Sequence, residues 1–353
     1  SEIVSFGGGV TLVTGENAQG KTSLLEAVAL VCGQRSFRTA TMADIARDGN
    51  SFRAEAVIRR EGAREFLGVA WSRGSGRRFS RGEKASDFRD VSALAPAVFL
   101  APEHQALLTG SPGSRRRFLD RLVFGLKPAA GDDLSRYATA LRERNALLAR
   151  ARLGRGPDAP GELDAWTEEL AIAGAAVRRH RRLALEVWAR AFGDLARQAG
   201  ASYAGIGVAY AGEGETAGEI RRACERLLEV ERRRGYSLAG PHRDDLVWTR
   251  EGRPYAPLAS AGEIARTVAL AKLAEWRVIA EAAGETPLFA ADDFDAGLSE
   301  GWVREFLDQL PQEATVLLTT TSSPARWAHR AARVLVVRDG SVSPLPLLRA
   351  VEA

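Results

Sequence analysis

Gly15–Ala27 reads GENAQGKTSLLEA. It follows an apolar run, Val10–Thr14 (VTLVT), and opens a helical pattern from Lys21 to about Gln34, with Leu24, Leu25, Val28 and Val31 on one side. Gly15, Gly20, Lys21 and Thr22 fit the G-x-x-x-x-G-K-[ST] phosphate loop in the strand-to-helix context that it requires. Glu16, Asn17, Ala18 and Gln19 complete the loop. Its glycines let backbone N–H groups close around phosphates, and the helix N-terminus adds positive potential. Lys21 is expected as a surface point charge reaching the β- and γ-phosphates, and Thr22 as a ligand of Mg²⁺. ATP and Mg²⁺ are the expected cofactors.

Outward from this loop, the chain has 353 residues, enough for one large or two ordinary domains. No apolar run reaches the length needed to span a bilayer, and no secretory leader pattern opens the sequence, so a cytoplasmic location is expected. Cys32 and Cys224 are the only cysteines, which argues against a disulfide framework and a zinc site. The net charge is +4 and the basic residues are nearly all arginine, with four lysines in the chain. A lysine in the glycine loop therefore stands out.

Segments within 51–79 alternate as in an antiparallel hairpin or small sheet. Residues 132–154 and 162–199 read as two helices joined by GRGPDAPG. In the second, Leu163, Trp166, Leu170, Ala173, Val177, His180, Ala184, Val187 and Ala191 follow a coiled-coil spacing, with His180 as a seam residue and not a ligand. Strand signals return in 203–212 and 244–258, and helix and buried strands alternate from Gly262 onward. One α/β sheet built from both ends of the chain is expected, with a helical lobe inserted. The expected divisions are 1–130 and 236–353 for the two parts of the head and 131–235 for the lobe.

A P-loop enzyme needs a second carboxylate on a buried strand. PLFAADD supplies Asp292, for the Mg²⁺ shell, and Asp293, to position the attacking water. Together with Lys21 these are the candidate catalytic residues. Most of the chain separates Lys21 from Asp292, as in ABC-type ATPase heads. Such a head also carries a Ser-x-Gly motif at a helix start ahead of the second carboxylate strand. Ser260, Gly262 and Glu263 (SAGE) stand there; a plain helix cap is the alternative.

With these motifs in order, the chain resembles the RecF family of the ABC and structural-maintenance-of-chromosomes class, over almost its whole length. The resemblance rests on GENAQGKTSLLEA, on GQRSFRTA (33–40), on APEHQALLTGSPGSRRRFLD (101–120) and on GPHRDDL (240–246). It implies an ABC-type ATPase head with an antiparallel β subdomain and a helical lobe. It also implies weak, DNA-stimulated ATP hydrolysis used as a switch, and an ATP-dependent homodimer. Further implied are binding to single-stranded and gapped DNA, and loading of RecA with RecO and RecR in DNA repair, replication and the SOS response. Other heads of the same class, or a transporter ATPase subunit, are the rival readings; the short lobe and the absence of a switch histidine after VLLTTT argue against them. The sequence departs from the family after Asp293, where FDAGLS replaces the usual segment and puts contacts at Ala296 and Gly297 in question. The family's Asn-(Phe/Tyr)-Arg segment has no counterpart before Ser1. Arginine runs at Arg115–Arg117, Arg178–Arg182 and Arg232–Arg234 are the candidates for DNA contact, each set against a solvated helix face. Neither a helix-turn-helix nor an aromatic-interleaved basic sheet is legible.

Overall fold

A computed structural model of the chain describes residues 4–39, 41–60, 62–154 and 161–345. Most of the GRGPDAPG joining segment and the last residue of GQRSFRTA lie outside the described residues. The chain divides into two compact units, 1–105 with 260–353 (the head) and 106–259 (the lobe).

The head begins with β1 (Gly9–Thr14) and α1 (Lys21–Val31). Four antiparallel strands follow: β2 (Ser51–Arg60), β3 (Ala63–Ser72), β4 (Gly76–Arg81) and β5 (Lys84–Ser86), then α2 (Phe88–Leu94) and β6 (Ala97–Leu100). The lobe comprises α3 (Ala106–Thr109), α4 (Pro112–Leu126), α5 (Gly131–Arg152), α6 (Glu162–Gln198), α7 (Ala201–Ala204), β7 (Ile206–Ala211), α8 (Ala217–Arg234), β8 (Asp245–Arg250) and β9 (Arg253–Pro254). The head resumes with α9 (Ala261–Ala283), β10 (Leu288–Ala291), α10 (Glu300–Asp308), β11 (Thr315–Thr320), β12 (Arg333–Arg338) and β13 (Ser341–Leu345).

The head's main sheet runs β13-β12-β1-β11-β10-β6, parallel except for β13. Its strands are near-continuous apolar runs because both faces are covered. Leu25, Ala29 and Leu30 of α1 pack between Val13, Ala290 and Leu317 of this sheet and Leu67, Val69 and Phe79 of the antiparallel sheet β2-β3-β4-β5. On β10, Phe289 meets Trp276 of α9 and Phe306 of α10. Phe289 and Ala290, neighbours on the strand, point to opposite faces of the sheet, as strand alternation requires.

In the lobe, α6 packs with α5 and α8 around Leu170, Ala173, Val177, Ile220 and Cys224. The expected seam holds from Leu163 to Ala184 and then drifts. Val187 is exposed, while Trp188, Phe192 and Leu195 are buried. A straight helix turns away from a seven-residue repeat by about 20° per heptad. The later turns of α6 meet different partners, with Trp188 stacked on Phe192 and edge-on to Phe118 of α4 and Trp248 of β8. His180 lies 2.9 Å from the Asp133 carboxylate.

The units divide at 105/106 and 259/260, outside the boundaries read from the sequence at 130/131 and 235/236. The reason is packing: α4 lies on α6 and β8, and β8 pairs with β7, so both flanks join the lobe.

The arginine runs are partly internal. Arg115 makes a two-point pair with Asp245 (2.6 and 2.9 Å), and Arg116 donates to the Asp244 carbonyl (2.8 Å). Arg178 grips the Asp244 carboxylate at 2.9 and 2.7 Å, and Arg181 grips Asp120 at 2.7 and 3.0 Å. Arg182 pairs with Glu215 at 2.7 Å. Arg117, Arg179 and Arg233 are not among the buried residues. Four of the arginines nominated for DNA thus hold the lobe together. A further arginine, the buried Arg144, reaches Glu231, Thr167 and Ser237 at 2.6–2.9 Å.

Candidate functional site

The loop from Gly15 to Thr22 leaves β1 and enters α1 with strained geometry. Gly15 has φ of +151°, and a Cβ there would lie 2.4 Å from the Val337 carbonyl oxygen of β12. Only glycine permits that approach. Ala18 has φ of +63°, in the region L-residues seldom adopt, and Gly20 has φ of +109°. Gln19 braces the loop against the β12–β13 turn, its carbonyl accepting from Gly340 N at 3.1 Å and its side chain from Asp339 N.

Lys21 is 5% exposed, which corrects the expectation of a surface charge. Its ammonium donates to the carbonyls of Gly15 (2.8 Å) and Glu16 (2.9 Å). These are loop carbonyls, so the loop curls around the ammonium and covers it. The group keeps a third donor.

The Thr22 hydroxyl donates to Asp292 Oδ2 at 2.8 Å. The other carboxylate oxygen accepts from the Thr319 hydroxyl at 2.6 Å. Thr319 Oγ1 also accepts from Asp293 N at 2.8 Å, so one β11 side chain fixes both acidic residues. The parallel register, Ala291 beside Leu318, brings the ends of β10 and β11 level and makes this possible. Asp292 is 6% exposed, and Asp293 has φ of +45°. Burial, and then the charge of Asp292, push the Asp293 carboxyl above the usual range, with Lys21 opposing. The sequence held the Thr319–Thr321 run but no sign of its role.

A further group, Asp295 with Thr320 and Trp327, escaped the sequence reading. Asp295 is buried and accepts from the Thr320 hydroxyl and from Trp327 Nε1, both at 2.8 Å. These bonds anchor FDAGLS, leaving Ala296 and Gly297 exposed.

Ser260, Gly262 and Glu263 form a separate group. Ser260 is the N-cap of α9, its hydroxyl accepting from Glu263 N (3.2 Å) while the Glu263 carboxylate accepts from Ser260 N (2.9 Å) and Oγ (2.9 Å). This is a capping box. Ser260 is exposed.

The donor set suits Mg²⁺: a hydroxyl and a carboxylate, both hard oxygens. Among the described residues no cluster of three or more His, Cys, Asp or Glu could hold a metal. Mg²⁺ needs none when phosphates complete its shell. No helix among the described residues is long and apolar enough to cross a membrane.

The fold and these elements define a P-loop ATPase head of the ABC/SMC type. Residues 1–90 match the AAA domain family. A solved structure of the recombination mediator protein RecF with ATP superposes with a TM-score of 0.87 at 22% identity, over 97% of this chain and 93% of that one. An Smc head bound to the C-terminal winged-helix domain of ScpA superposes with a TM-score of 0.51 at 13% identity, over 98% and 93%. The DNA replication and repair protein RecF of Acaryochloris marina is 31% identical over 97% of this chain and 95% of its own length. That of Anaeromyxobacter sp. (strain K) is 33% identical over 95% and 93%. The chain belongs to the RecF family of DNA replication and repair proteins.

Proposed function

We propose that the chain is an ATP-driven, homodimerising DNA-binding protein of recombinational gap repair. The observation that carries the reading is the meeting of Thr22 with Asp292, 270 residues apart in the chain, beside the Lys21 ammonium. That arrangement suits a nucleoside triphosphate with Mg²⁺: the loop amides and Lys21 hold the phosphates, and Thr22 and Asp292 hold the cation. A bound Mg²⁺ would supply charge neutralisation of the phosphates. Asp293, with its raised proton affinity and its backbone pinned by Thr319, is the group that orients and deprotonates the attacking water.

Ser260, Gly262 and Glu263 have no role in the cis cluster, and the exposed start of α9 suits the γ-phosphate held by a second copy. Opening the capping box would free the Ser260 hydroxyl to donate to it. Binding then closes a dimer on single-stranded or gapped DNA, and weak, DNA-stimulated hydrolysis reopens it, a switch in which the γ-phosphate is read and not transferred to a substrate. RecR with RecO, and through them RecA, are the expected partners, in the cytoplasm, in gap repair, replication and SOS induction.

The test is Ser260→Arg. ATP affinity of the monomer should stay near that of the parent, while ATP-dependent dimerisation, read by light scattering, disappears and turnover falls with it. Mixing Lys21→Met with Ser260→Arg chains restores one intact composite site and partial turnover. Loss of ATP binding by monomeric Ser260→Arg would place the helix in cis and end the dimer reading.

A further inference from the structure

Arg115, Arg116, Arg178 and Arg181, from two of the lobe's arginine runs, are committed to carboxylates and carbonyls of the lobe itself, which directs attention to positive charge elsewhere on the chain. Residues 51–86, the antiparallel sheet of the head, hold nine Arg and Lys against four Glu. That net +5 exceeds the +4 of the whole chain. Strand alternation divides these residues between two faces. Phe52, Ala54, Ala56, Ile58, Leu67 and Val69 pack on the core. The opposite face is open.

Its side chains fall into rows set by the register. Arg59 stands opposite Arg64. In the next row Val57 stands opposite Phe66, 52% and 56% exposed. Glu55, Gly68 and Ser80 make the third row, and Arg53, Ala70 and Arg78 the fourth. A Cβ at Gly68 would lie 2.5 Å from Ser80 Oγ, so a side chain there would have to displace the Ser80 hydroxyl. Arg53, Ala70, Ser72 and Arg78 are among the residues that line an open groove of about 540 Å³.

Two features of this face are unfavourable in water alone. Like charges directly opposite on paired strands repel, as Arg59 and Arg64 do. A large aromatic ring and a valine lie in solvent between the two arginine rows. Both become favourable when phosphates sit on the arginines and a base stacks on the ring. The rows of Arg53 and Arg59 are six residues apart, about 20 Å along the strand, which spans several nucleotides of an extended chain. A duplex has no free base face to offer Phe66, so the ring selects a single strand. Arg53 also pairs with Glu55, but both are exposed, and such a pair is readily exchanged for a phosphate.

We propose that the outer face of β2-β3-β4 is a binding surface for single-stranded DNA, with phosphates on Arg59, Arg64, Arg53 and Arg78 and a base on Phe66. The proposal rests on the DNA-binding reading above and assigns its place.

The test is fluorescence anisotropy of the full chain with labelled oligo-dT and with a duplex of equal length, across a salt series. Arg59→Ala with Arg64→Ala should lower the salt slope for oligo-dT by about 1.4. Phe66→Ala should weaken oligo-dT binding about tenfold with the slope unchanged, and leave the duplex unaffected. The altered side chains are exposed, so melting temperature and ATP affinity should match the parent; Arg64→Gln alone gives a second, milder reading of the slope. Unchanged oligo-dT binding in all these variants, with loss instead in Arg117→Ala, Arg179→Ala and Arg233→Ala combined, would overturn this surface while keeping the DNA-binding reading. Equal weakening of duplex binding by Phe66→Ala would overturn the single-strand assignment. No binding of either DNA by the parent would overturn both readings.

Discussion

Asp244–Asp245 in the lobe and Asp292–Asp293 in the head are adjacent aspartates, and these two pairs are handled in opposite ways. In the lobe, Asp244 is gripped by Arg178 and Tyr210, and Asp245 by Arg115. Each carboxylate has a built-in cation. In the head, Asp292 is met by the hydroxyls of Thr22 and Thr319, and Asp293 has only the partial influence of Lys21. Proton affinities follow. Burial pushes the Asp245 carboxyl up, but Arg115 and the Leu246 N–H outweigh it and hold it below the usual range. Asp293 is pushed above it. A pair neutralised by the chain itself needs no outside partner; a pair left with its negative charge suits a cation from outside.

The strongest way to break this contrast is Asp244→Ala. It leaves Arg178 buried without its carboxylate and should cost about 3–5 kcal/mol of stability by chemical denaturation. A loss below about 1 kcal/mol would show that the lobe pair is not structural. Next, Lys21→Met should weaken ATP binding by about 1.5–3 kcal/mol, about ten- to a hundredfold, while costing the fold no more than about 1 kcal/mol. Unchanged affinity would remove the P-loop assignment.

Asp245→Ala should cost less than Asp244→Ala, about 1 kcal/mol, because its pair with Arg115 is partly exposed. Its lowered proton affinity means that its contribution is present above the unfolded carboxylate range and lost as the pH falls through the folded value. Removing it should flatten that part of the acid limb of a melting-temperature profile. The smallest effect, with the opposite sign, belongs to Asp293→Asn. A raised folded value means stability lost as the pH rises from the unfolded value through the folded one. The amide removes that loss and tolerates the positive φ, so the variant should gain less than about 1 kcal/mol at neutral pH and nothing in acid. Its ATP turnover should fall while ATP binding persists; normal turnover would exclude Asp293 as the base.

The loop Gly15–Thr22 was legible because its pattern is local: the required glycines, lysine and threonine lie within eight residues of one another, between a strand and a helix. The spans of α5 and α6, 131–152 and 162–198, were legible for the same reason, since helical periodicity is written along the chain. Which arginines turn inward was not. Arg178 and Asp244 are 66 residues apart, Arg115 and Asp245 130, and nothing near either arginine distinguishes it from the exposed Arg179 or Arg117. The basic sheet escaped notice because its aromatic and arginine residues come from three strands and meet only through register. Sequence by itself determined what depends on neighbours along the chain, namely the phosphate loop, the helices and the order of the motifs. Tertiary structure alone decided the partners of Arg115, Arg144, Arg178 and Arg181, because their burial and pairing are set by distances in space between segments whose separation along the chain carries no such information.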